Sequence, residues 1–449
     1  MRYENYKQSM NTWLVSIPAH WKELYIQQVS HEQKNKNVGN QENLVLSLSY
    51  GNIIRKKNVD AGLVAKDLST YQIVNKNNII LRFTDLQNDH KSLRTGLVRE
   101  TGIITSAYTC IVPTINAAYL HYVLHSYDTQ KVFYGMGGGV RQSIGFDEIR
   151  HMFVPVPPRE EQDQIVRYLD WQVSKINKLI HGYQRQIKLL EEQKITIINN
   201  AVVHGVEVTC SRVATKAEWM GMVPETWRQM RMKNFFTEIN VRSLEGKEPH
   251  LSMSQKKGLV TDEENIGRPL LSESYAGAKL CEKNDLVLNR LKAHLGVFAL
   301  APVKGVVSPD YTVLRLNKNM VIPKYAEFLL KSSDCRKELR IRVRGIVEGF
   351  WRLYTEDLGS IPVCIPSLEE QETILKYIEK KTGSISVAIR KITQEIELLK
   401  EYRTRLISDV VTGQMDVRGI EIPEYTLEKD LEDITDTENA ADKEVPEDE

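Results

Sequence analysis

Between residues 169 and 201 a seam recurs at alternating steps of four and three: Leu169, Val173, Ile176, Ile180, Tyr183, Ile187, Leu190, Lys194, Ile197 and Ala201. Only Lys194 is charged. That period marks one face of a long amphipathic helix. The same spacing returns over Ile378, Thr382, Ile385, Ile389, Ile392, Ile396, Leu399, Arg403, Leu406 and Val410. Every member lies 209 positions after its counterpart, and even the basic interruption is kept. Each stretch predicts a helix of about 40 residues, roughly 60 Å at 1.5 Å per residue. A lone helix cannot bury such a seam, so the pattern predicts that the two pack on each other. Both stretches end on a glycine step, Val203-His204-Gly205 and Val411-Thr412-Gly413, a common helix stop.

The segments before each helix are also written twice. Trp13 and Trp21 bracket Ile17-Pro18, and Trp219 and Trp227 bracket Val223-Pro224, both tryptophans shifted by 206 positions. The chain has six tryptophans, so chance is a poor explanation. The apolar run ending at Phe83 resembles the run ending at Leu291, and Gly102–Cys110 resembles Gly305–Val313. The proline-rich junction at Val154 resembles that at Val363. Short β-like runs (43–50 and 79–83) are spaced by Gly and Asn turns, and helices are expected near 117–126 and 325–331. The expected fold is α+β: two globular units separated by two long helices packed as an antiparallel coiled coil, with an internal pseudo-two-fold repeat and the units at opposite ends. The expected segments are a first globular unit at 1–157, a long helix at 158–205, a second unit at 206–366, a long helix at 367–416 and an acidic, disordered tail at 417–449. Trp21 and Trp227 are read as core anchors, and Lys194 and Arg403 as facing solvent or a partner at the seam.

Charge becomes informative once it is divided. The net charge is +1, but residues 421–449 carry thirteen acidic residues and two lysines, leaving +12 on the other 420. A basic body with an acidic end is compatible with binding a polyanion. The five cysteines (Cys110, Cys210, Cys281, Cys335, Cys364) form no CxxC pair, which argues against disulfides and structural zinc and favours a reducing cytoplasm. No run of about 18 uncharged apolar residues predicts a membrane span, and the N-terminus lacks the apolar core of a secretory leader.

The repeated Ile-Pro or Val-Pro entry before Trp21 and Trp227, the junctions at 158–165 and 366–374, the long helices and their glycine ends together resemble the specificity subunits of type I restriction–modification systems, over about residues 10–415. The second junction, Cys364-Ile365-Pro366-Ser367, departs from Pro155-Val156-Pro157-Pro158 in the first, which puts identical partner contacts on the two sides in doubt. The resemblance implies two target-recognition domains, each reading one half of an interrupted DNA sequence. It further implies helices that set the spacing and dock two modification subunits, which use S-adenosylmethionine to methylate adenine N6. Restriction and translocase subunits, using ATP and Mg, would complete a nuclease for phage defence. No cofactor or metal is expected in this chain.

The residues themselves argue against catalysis. Neither DPPY nor NPPY occurs, and there is no GxxxxGK[ST]. The glycine run from Gly135 does not lead from a strand into a helix and reads as a flexible loop. Ser308-Pro309-Asp310 is not followed by an ExK at suitable spacing, and the ten histidines form no HExxH pair. For DNA reading, arginine and lysine suit guanine, and asparagine and glutamine suit adenine. The candidates in the first unit are Arg82, Lys91, Arg94, Arg141, Gln142 and Ser143. In the second they are Lys256, Lys257, Arg290, Lys292, Arg344, Trp351 and Arg352. The two units differ outside the shared framework, which predicts an asymmetric target. The competing readings are a coiled-coil adaptor with no DNA role, a self-sufficient DNA-modifying enzyme, and a subunit serving modification alone.

Overall fold

The structure is a computed structural model describing residues 2–56, 67–84, 86, 93–136, 144–207, 209–254, 257–261, 275–345 and 351–426. It divides into two compact units, one of Met1–Arg185 with Thr393–Glu449 and the other of Gln186–Ile392. The division cuts across the sequence segments, because each long helix contributes residues to both units.

In the first unit a six-stranded sheet runs in the order Ser30–Gln33, Thr109–Pro113, Ile79–Leu81, Thr95–Leu97, Asn52–Arg55, Leu46–Ser49. All neighbours are antiparallel except Asn52–Arg55 with Thr95–Leu97. Ile79, Ile80 and Leu81 are all buried, as suits a central strand covered on both faces. The helix Ala117–Thr129 buries Tyr119, Leu120, Val123, Leu124 and Tyr127. Asn116 caps it by accepting from the Tyr119 N–H at 3.1 Å. A separate strand pair, Lys22–Tyr25 with Phe153–Val156, carries the chain into the junction.

The second unit repeats this plan with less sheet. Its four strands run Phe236–Ile239, Tyr311–Leu316, Leu286–Asn289, Phe298–Leu300, all antiparallel. The hairpin Leu251–Ser254 with Gly258–Thr261 pairs only with itself among the described residues. Arg228–Arg231 pairs with Pro362–Ile365 at the second junction. The helices Pro323–Lys331 and Ser333–Arg340 pack their apolar faces into the same core as Leu286, Leu288 and Leu314. The duplicated glycines have a shared cause. A Cβ on Gly102 would lie 2.7 Å from the Leu44 carbonyl oxygen, and one on Gly305 would lie 2.5 Å from that of Pro249. Both strands therefore need a residue without a side chain.

The long helices span Arg159–His204 and Leu368–Val411. Both begin with two glutamates in the first turn, where the amide dipoles favour negative charge. Gly205 and Gly413 follow their ends at φ +75° and +74°, a left-handed turn natural to glycine. In each unit the start of one helix meets the end of the other, so they run antiparallel. The seam residues Leu169, Ile176, Ile180, Ile378, Ile385, Ile396 and Leu406 are buried, and Val173, Ile187, Leu190, Ile197, Ile389, Ile392 and Leu399 are half-buried.

Lys194 and Arg403 require a correction, since both face the neighbouring helix. Lys194 Nζ donates to Ser386 Oγ at 3.0 Å in the second unit, and Arg403 Nη1 donates to Asn177 Oδ1 at 2.7 Å in the first. Ser386 lies 209 positions after Asn177, as Arg403 does after Lys194, so one polar contact has been built twice. The beginning of the expected tail also differs. Val417 is buried, and the Gln164 side-chain amide donates to the carbonyls of Val417 and Ile420 at 3.1 and 2.8 Å. Ser174 Oγ donates to Thr426 O at 2.9 Å. Residues 417–426 therefore lie along the first long helix, held through backbone carbonyls that composition does not advertise.

Candidate nucleic-acid interface

The duplicated motifs join each globular unit to the helices by matching bonds. Trp21 Nε1 donates to Glu161 Oε1 at 3.0 Å, and Trp227 Nε1 donates to Glu370 Oε1 at 2.8 Å. The amide oxygen of Gln162 accepts from Asn116 N at 3.0 Å, and that of Gln371 accepts from Ile322 N at 2.8 Å. Their amide nitrogens donate to the carbonyls of Pro157 and Pro366. Tyr119 donates its hydroxyl to Val411 O at 3.3 Å, and Tyr325 donates to Val202 O at 2.9 Å. Both tyrosines and Trp21 are fully buried, and Trp227 nearly so. Buried polar groups satisfied in this way fix orientation. The tryptophans are core anchors, and the glutamate and glutamine of each junction hold a globular unit against the helix that follows it.

The basic loops stand on this frame. In the first unit Arg82 follows the central strand, and Ile144 N donates to Phe83 O at 3.3 Å. In the second, Leu353 N donates to Arg290 O at 3.1 Å. These are equivalent bonds, so in both units the end of the later glycine-bearing loop docks beside the end of the central strand. Arg290, Lys292, Arg344, Trp351 and Arg352 are thereby drawn into one neighbourhood. Arg344 and Arg352 exchange both backbone N–H···O bonds, at 2.9 and 2.8 Å. Lys292, Arg344 and Arg352 are exposed, and Trp351 is half-buried. Arg290 is more restrained: Nε donates to Thr312 Oγ1 at 2.7 Å, and Nη2 pairs with Glu238 at 3.3 Å. Lys279, whose ammonium donates to Tyr311 O at 2.8 Å, has its pKa lowered by burial and by the neighbouring Arg290 charge. Lys257 is exposed at the hairpin turn between Ser254 and Gly258, and among the described residues nothing ties it to this group.

Arg94 does not belong with these candidates. It is 0% exposed, and its guanidinium donates to Thr84 O at 2.6 Å, to Arg82 O and to the Tyr134 hydroxyl at 3.3 Å each. A buried arginine satisfying backbone carbonyls supports the Arg82 turn from beneath. Arg82 itself is half-buried. Lys91, Arg141, Gln142, Ser143 and Lys256 lie outside the described residues. Among the described residues no group of three or more His, Cys, Asp or Glu side chains is arranged to hold a metal ion. No described helix is long and apolar enough to cross a membrane.

Residues 224–398 match the family model for the type I restriction modification DNA specificity domain. The chain is also 26% identical over 314 residues to a protein named as the type I restriction enzyme MjaX specificity subunit of Methanocaldococcus jannaschii, covering 68% of this chain and 69% of that one. The chain is thus similar to the type I restriction–modification specificity subunits. It is also 21% identical over 293 residues to the type I restriction enzyme EcoKI specificity subunit of Escherichia coli, covering 58% of this chain and 61% of that one. A solved chain from a study of complex assembly and conformational transition in the type I R-M system shares the fold. Its TM-score is 0.60 at 15% identity, over 89% of this chain and 99% of that chain. The sequence reading missed Tyr354 and Asp357 beside Arg344; their only signal is position, just after the glycine-bearing loop.

Proposed function

We propose that this chain is the specificity subunit of a type I restriction–modification system, that it reads a bipartite, asymmetric DNA target, and that it docks two adenine-N6 modification subunits, with restriction and translocase subunits joining them. The observation that carries the reading is the equivalent loop-to-strand bond in the two units. The same frame presents different basic side chains in each, as two readers of two different half-sites require. Base-edge contacts from these loops would specify sequence, and exposed lysines and arginines on phosphate would fix register. The chain is proposed to be non-catalytic and to work in the cytoplasm. S-adenosylmethionine, ATP and Mg are assigned to the partner subunits, whose chemistry needs them.

A test uses the purified full chain, alone and with its modification subunit, on random-sequence duplexes from 50 to 200 mM salt. The reading expects DNA binding that weakens steeply with salt, because phosphate contacts release counterions, and selection of one interrupted motif by the complex. DNA binding that is absent in both states would favour a coiled-coil adaptor. Binding of S-adenosylmethionine by the isolated chain would favour a self-sufficient enzyme.

A further inference from the structure

The base of the loop in the second unit carries two arginines in an unusual relation. Arg344 and Arg352 are directly opposed residues of an antiparallel pair, bonded in both directions. Such residues project their side chains from the same face, with Cβ atoms about 5 Å apart, and like charges placed so repel. The repulsion is partly answered on one side. Arg344 Nη2 pairs with Asp357 Oδ1, and the guanidinium carbon lies 5.9 Å from the centre of the Tyr354 ring. Asp357 is only 17% exposed and Arg344 is 66% exposed. The acid is built into the unit, while the arginine reaches outward from it.

This bracing separates two uses of an arginine. A phosphate contact needs net positive charge and tolerates a loose side chain. An arginine already paired with a carboxylate has lost most of its net charge, but its plane is fixed and its other N–H donors remain available. Fixed planarity is what bidentate reading of a guanine O6/N7 edge requires. Holding a reading group through a second residue, itself locked in the fold, is how sites gain geometric accuracy. The geometry points to Arg344 as a guanine reader in the half-site taken by the second unit, with Asp357 and Tyr354 as its positioning residues. Among the described residues Arg352 has no such brace, and it lies beside Arg344 as the phosphate-facing partner. The first unit is built differently here. Glu148, 209 positions before Asp357, accepts from the backbone N–H of Gly145 at 2.7 Å.

The inference rests on the DNA-reading function proposed above. Its test is an N6-methyladenine map of the native host carrying chromosomal Arg344→Ala, Arg344→Lys or Asp357→Asn, with melting temperatures of the purified variants as the check on folding. Loss of one bidentate contact is worth roughly ten- to a hundredfold in discrimination. One guanine position in one half-site should therefore become degenerate, while the other half-site and the spacer stay as they were. Lysine should fail to restore it, and Asp357→Asn should relax the same position more weakly. An unchanged motif in all three folded variants would overturn the assignment. So would a uniform loss of methylation across all sites that lysine restores, since that is the behaviour of a phosphate contact. If the unaltered strain has no interrupted motif that depends on this chain, the function proposed above fails first. If it has one and the variants leave it unchanged, only the role of Arg344 fails.

Discussion

Arg94 and Arg344 show how differently one residue type is used within this fold. Arg94 is buried and bonded to main-chain carbonyls; Arg344 is exposed and braced by a carboxylate. Replacing Arg94 by alanine would leave the Thr84 and Arg82 carbonyls without this donor inside the unit, a loss on the order of 2–4 kcal/mol. The expected outcome for Arg94→Ala is a lower denaturation midpoint in urea, with the DNA motif unchanged in whatever protein remains folded. A folded, fully stable variant with altered sequence preference would show that Arg94 reads DNA after all. Sequence could not separate these arginines, because both sit in polar stretches close to predicted strands. It did single out the tryptophans and the junction glutamate and glutamine, since those recur. What it withheld was the pairing, Trp21 with Glu161 and Trp227 with Glu370, across more than a hundred residues.

At the scale of elements, the seam was legible because a heptad is a one-dimensional signal. Its basic interruptions were not, because a lysine or arginine in a seam is equally compatible with solvent, a partner protein or the facing helix. The structure decides for the facing helix, in the same way at both copies. The strands were legible as apolar runs but not in their order, which depends on pairings such as Ile79 with Ile111 and Leu286 with Leu314. The seam also carries a prediction about spacing. Inserting one heptad into each long helix, after Arg185 and after Ile392, keeps the seam continuous and adds roughly 10 Å. Methylation mapping of that variant should return the same two half-sites with a wider spacer. Altered half-sites around the original spacer would contradict the helices' role in setting distance.

For the whole molecule, the duplication gives two globular units that share a frame and differ in the sheets and loops built on it. In the first unit a six-stranded sheet carries the loops, and in the second a four-stranded sheet with a separate hairpin does. The acidic balance of residues 421–449 is the largest departure from the repeat, and its described beginning already lies on the first long helix. The central claim is that this one chain determines one interrupted, asymmetric sequence. The most direct test is a genome-wide N6-methyladenine map of the host with and without the gene. The account predicts that a single bipartite, non-palindromic motif disappears while all other methylation persists. A methylating strain that loses no motif, or loses a continuous palindromic one, would contradict it.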